Sequence, residues 1–103
     1  MSLLKCEIQL DEKKILEDGI YKPETIYDAV DNMFLKNDLI KGKNGFYYEK
    51  GNELDFAHFW SAILSLKNQS WFMPYVTKWL WYNSENAEAE DIIAGLKRVY
   101  DNG

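Results

Sequence analysis

Asp55, His58 and Ser61 follow one another at single-turn spacing along the segment from 55 to 67, and they are the residue types of an acid–base–nucleophile relay. That chemistry needs more than the types. Nucleophile and base must converge on a substrate, normally from different elements, with donors placed for the oxyanion that develops. Three residues along one helical face do not converge in this way, and the chain has no Gly-x-Ser-x-Gly elbow. His58, the only histidine, lies off the apolar stripe of its segment, so a solvated or partly packed helical side chain accounts for it. A ligand-binding or catalytic domain centred on His58 and Asp55 remains an alternative reading. It predicts a concave pocket around His58 with convergent polar groups.

The other reactive residue types are fewer still. Cys6 is the only cysteine. It stands in an alternating apolar run, where a free thiol packs as a small hydrophobe. One Cys and one His cannot make a structural zinc site. The carboxylates Asp11, Glu12, Glu17 and Asp18, and again Glu85, Glu88, Glu90 and Asp91, lack the spacing of a calcium loop. They read as solvated faces and helix N-terminal charge. Gly42, Gly45 and Gly51 have neither the spacing nor the strand-to-helix context of a phosphate loop. No metal and no cofactor is expected.

Partners are bounded by charge. The net charge is −5, and the 12 basic residues are dispersed as singles or pairs. Gripping a phosphate backbone or an anionic membrane takes clustered Lys and Arg, so nucleic acid and membrane are both disfavoured. Mimicry of nucleic acid by the acidic surface is a further alternative, weakened by the lysines that interrupt the carboxylates. Cys6 cannot form a disulfide within the chain, which points to the cytoplasm. No apolar run reaches the roughly 20 residues of a membrane helix, and MSLLKCEIQL alternates like a strand instead of forming a secretory core. The glycosylation pattern at Asn68-Gln69-Ser70 is then without consequence. No weight rests on Met1 to Leu3.

A chain of 103 residues suits one domain with its own core, and no repeat or linker suggests a second over residues 1–103. Leu4, Cys6, Ile8 and Leu10 alternate with polar residues, which predicts a half-buried strand. Asp11 caps a helix over Glu12 to Asp18, stopped by Gly19. Pro23 opens the next, with Ile26, Val30, Met33 and Phe34 on its apolar face. The stretch Leu39 to Glu49 reads as a hairpin turning at Asn44-Gly45, residues that tolerate positive φ. Asn52 or Asp55 caps a helix to about Lys67, with Phe56, Phe59, Trp60, Ile63 and Leu66 or Lys67 on the expected buried stripe. Thr77 to Tyr82 is a strand, and a last helix runs from about Ala87 to Tyr100, where Gly95 allows a close neighbour. The order β-α-α-β-β-α-β-α predicts an α+β fold: a small, mostly antiparallel sheet of about four strands with helices mainly on one face.

The densest segment is Ser70 to Asn83, which holds Trp71, Phe72, Tyr75, Trp79, Trp81 and Tyr82. It lies in a window, Phe56 to Ser84, free of Asp and Glu, although the chain carries 17 of them. Such a segment either fills the core or presents a contact face. On a strand, Trp79 and Trp81 point to one side and Leu80 and Tyr82 to the other, so both sides are apolar. Helices on one side leave an aromatic surface on the other. The surface expected is Trp79, Trp81 and Tyr47, then Trp71 and Tyr75. It makes the chain a small acidic interaction module that binds a protein partner or itself. Stacking of single-stranded bases on these rings is a weaker reading, since only Lys67 and Lys78 accompany them.

Overall fold

The computed structural model describes residues 4–51, 53–82 and 89–96. The elements are β1 (Lys5–Leu10), α1 (Glu12–Asp18), α2 (Pro23–Leu35), β2 (Ile40–Lys41), β3 (Phe46–Tyr48), α3 (Asp55–Lys67), β4 (Val76–Tyr82) and β5 (Glu90–Asp91). A helical stretch over 92–96 follows β5 directly. The strands form one antiparallel sheet in the order β2-β3-β1-β4-β5. This is the expected α+β architecture with one strand more.

Local chemistry explains the element ends. Asp11 Oδ1 accepts the Lys14 N–H at 3.0 Å and so caps α1. Gly19 ends that helix in the left-handed region, its N–H bonded to Ile15 O at 3.2 Å. Pro23 starts α2, whose buried residues are Ile26, Val30, Met33 and Phe34. In the β2–β3 turn, Asn44 and Gly45 take φ of 58° and 84°, the conformation a tight hairpin needs.

The expected last helix is present over 92–96, and its start is corrected. Among the described residues, Glu90 and Asp91 pair with Trp81 and Leu80 as an edge strand. Asp91 Oδ1 then accepts the Ala94 N–H at 3.0 Å, capping a helical turn that starts only after it. A side-chain acceptor one step before the turn outweighs helix propensity over Glu90-Asp91. Residues 87, 88 and 97–100 of the expected helix lie outside the described residues. Gly95 has open space where a Cβ would stand, so no close neighbour requires it.

The register of β1 sorts the sheet's two faces. Cys6 pairs with Tyr47 and Trp81, and Ile8 with Trp79, so these side chains share one face. Helices α2 and α3 cover it: Phe34 stacks on Tyr47 at 4.0 Å, and Phe59 meets Trp81 edge-on at 5.0 Å. Lys5, Glu7, Phe46, Tyr48, Leu80 and Tyr82 occupy the other face, joined by register.

Candidate protein-contact surface

Four of the five residues expected at a contact surface are core. Trp79 is 0% exposed, Trp81 2%, and Tyr47 and Tyr75 3% each. The fifth, Trp71, is half-buried, and its Nε1 donates to Gln69 Oε1 at 3.1 Å. The expectation that this set forms the contact face is therefore overturned. Its premise of two apolar sheet faces holds, but the β1 register turns Trp79, Trp81 and Tyr47 toward the helices. Packing against Phe59, Phe72 and Phe34 then encloses them.

The buried groups are specifically held. Tyr47 Oη donates to Asp31 Oδ1 at 2.6 Å, and the other Asp31 oxygen takes Lys41 Nζ at 2.8 Å. Burial and then this carboxylate push the Tyr47 phenol well above its ordinary value. Tyr75 Oη donates to Asp18 Oδ2 at 3.0 Å. Burial pushes the Cys6 thiol far up as well, and the nearby Trp79 indole offsets only part of that. Among the described residues the Trp79 N–H finds no partner in hydrogen-bonding geometry. A thiol held protonated in the core is a packing group, not a nucleophile.

The sheet face away from α2 and α3 carries rings of its own, Phe46, Tyr48 and Tyr82, with Leu80 beside them, all half-buried. Lys5 Nζ stands 4.8 Å from the Tyr82 centroid and 5.7 Å from that of Phe46. Lys78 Nζ lies 3.5 Å from Glu7 Oε1. The face thus answers its own cations, Lys5 with rings and Lys78 with a carboxylate.

Helix α3 presents a different surface. Its buried residues are Asp55, Phe59, Ala62, Ile63 and Leu66: Phe59, Ile63 and Leu66 are enclosed as expected, whereas Asp55 and Ala62 take the place of Phe56 and Trp60. The cause is Asp55, which turns inward because its carboxylate accepts the backbone N–H groups of Lys50 and Gly51. Fixing Asp55 inward carries Phe56, about 100° around the helix, toward solvent. Phe56 is 55% exposed and Leu64 48%, with Trp60 half-buried between them. The three recur every fourth residue on one face. Phe56 rests on Trp60 and Trp81, at 6.3 and 6.0 Å between centroids. Beside this stripe runs a cleft of about 480 Å³, whose apolar wall is Trp60, Ile63, Leu64, Ile92 and Leu96. Hydrophobic patterning along α3 had placed Phe56 and Trp60 inside. The missed signal was Asp55, whose carboxylate is buried on two backbone N–H groups.

His58 and Asp55 do not form one site. Asp55 is buried and bound to the 50–51 backbone, so it caps a turn. His58 borders a shallow, open cavity of about 350 Å³ with Asp38, Glu53 and Leu54. Its Nδ1 is buried without a hydrogen-bond partner among the described residues. Asp38 there is bonded to Lys50 Nζ at 2.6 Å. Among the described residues no cluster of three or more His, Cys, Asp or Glu is placed to hold a metal, and no helix is long and apolar enough to cross a membrane. Comparison of the chain with protein-family models, with curated proteins and with solved structures gives no match.

Proposed function

We propose that the protein is an interaction module that binds another polypeptide through the outward face of α3, in the cytoplasm. The observation that carries this reading is the stripe Phe56, Trp60 and Leu64 beside an apolar cleft. With a fully exposed large side chain offering about 200 Å², the stripe leaves on the order of 300 Å² of apolar surface in water, comparable to the largest apolar patch of an ordinary monomer, which is often functional. Aromatic residues with few rotors give such a patch its binding energy at small entropic cost. A nucleic-acid reading has less support, because Lys5 and Lys78 are already answered by rings and by Glu7. The cytoplasmic placement rests on the single buried thiol of Cys6.

A photo-crosslinking residue placed at Leu64 tests the contact inside the cell of origin, with the same residue at Glu12 on the solvent side of α1 as control. Adducts specific to Leu64 are expected. Equal adduct yields at the two positions would remove α3 as the contact face.

A further inference from the structure

The outward face of α3 has an internal symmetry of sequence. Phe56 and Leu64 lie equally far from Trp60, one on each side, and so do Glu53 and Lys67. Glu53 stands in the turn leading into α3, and the other four span about 80° around the helix. The face therefore reads acid, Phe, Trp, Leu, base. A two-fold axis through Trp60 would set Phe56 of one copy on Leu64 of the other, and Glu53 on Lys67.

Resting on the reading of α3 as a contact face, we infer that its partner is a second copy of this chain, packed with the two α3 helices antiparallel across Trp60. Closed two-fold dimers need a self-complementary patch, and the order of this one sets acid against base and Phe56 against Leu64 across the axis. Antiparallel packing also sets the acidic start of each helix beside the basic end of the other, so the two macrodipoles oppose favourably. The cleft between Trp60, Leu64, Ile92 and Leu96 lies beside the axis. It gives a large side chain from the facing helix somewhere to insert, as ridges on one helix fill grooves on another. A parallel arrangement would place Glu53 on Glu53 and Lys67 on Lys67. That charge pattern selects against it.

The apolar patch is smaller than the roughly 800 Å² per partner of a standard interface, so the dimer belongs to the weak, concentration-dependent class. Sedimentation equilibrium of the full chain should show the mass rising toward twice the monomer as concentration approaches the order of 100 μM. Leu64→Glu should abolish that rise while circular dichroism stays unchanged. Mixed Phe56→Cys and Leu64→Cys proteins, oxidised with diamide, should give the mixed disulfide in preference to either homodisulfide. Cys6, enclosed in the core, takes no part.

A monomer at every concentration overturns the self-pairing. In that case Leu64 photo-adducts of foreign mass would still uphold α3 as a contact face for another protein. A dimer indifferent to Leu64→Glu, or one giving Phe56–Phe56 homodisulfides preferentially, also overturns it. Should Leu64→Glu unfold the chain, the cysteine mixture decides.

Discussion

The Asp55 carboxylate accepts the Gly51 N–H at 2.8 Å, which holds the first residue of α3 against the core. Once Asp55 is inside, Phe59, Ile63 and Leu66 follow it into the core and Phe56 is carried outward. The same carboxylate also takes the Lys50 N–H, so two backbone donors depend on one side chain.

Asp55→Ala should therefore cost about 1–3 kcal/mol, the range for stranding buried groups that had been hydrogen-bonded to a charge. Urea denaturation measures it. Asp55→Asn keeps an acceptor and should cost less. A variant as stable as the parent would show that helix packing alone orients α3.

Much of the fold was legible where a local signal and the hydrophobic pattern agreed. Asp11 and Gly19 bracket α1 because capping is a one-residue effect, and the apolar face of α2 was readable because no buried charge competes with it. The Asn44-Gly45 turn announced itself through backbone chemistry. The candidate surface was less legible, for two physical reasons. Alternation on β4 separates Trp79 and Trp81 from Leu80 and Tyr82, but when both sets are apolar it does not say which one meets the helices; the pairing with Cys6 and Ile8 decides. On α3, Asp55 reads as a helix cap, and hydrophobic pattern alone does not show that its carboxylate turns inward onto the 50–51 backbone.

Tryptophan substitutions should separate core from surface. Trp81→Ala removes an enclosed ring that touches Phe56, Phe59 and Trp60, and should destabilise by about 3–5 kcal/mol. Phe56→Ser removes a ring more than half in water and should change stability by less than about 1 kcal/mol. Acrylamide should quench Trp60 and Trp71 and spare Trp79 and Trp81. Uniform quenching of all four would contradict the enclosure of Trp79 and Trp81.

Alkaline stability follows from the protonation of buried groups. Burial raises the thiol of Cys6 above its ordinary 9.0, and raises the phenols of Tyr27, Tyr47 and Tyr75 above 10.0. Hydrogen bonds to Asp31 and Asp38 raise Lys41 and Lys50 above 10.5. Unfolded chains lose these protons first, so the folded state binds more of them and the unfolding free energy falls as pH rises. The decline should begin near pH 9, with these groups contributing no slope below about pH 8. Thermal denaturation across that range tests the sign, and Tyr47→Phe should flatten the curve. A midpoint that climbs with alkalinity would refute it.

Gly45 and Gly19 both hold positive φ, at 84° and 68°, but their surroundings differ. A Cβ on Gly45 would stand 2.2 Å from Ile8 O, while one on Gly19 would meet nothing within 4 Å. The Gly45 carbonyl also accepts the Ile8 N–H at 2.9 Å, so the hairpin tip lies against β1 backbone with no room for a methyl group. Gly19→Ala should cost only the left-handed conformation, about 1–2 kcal/mol. Gly45→Ala adds a clash with backbone that neither strand relieves without moving, and should cost clearly more. Since β3 carries Tyr47 to its bond with Asp31, the shift should also lower the Tyr47 phenol toward its ordinary value, read by tyrosinate absorbance in an alkaline titration. Equal costs at the two glycines would mean that the β1–β3 contact gives way freely. Unequal costs with an altered Tyr47 titration would tie this glycine to the register on which the enclosed face of the sheet depends.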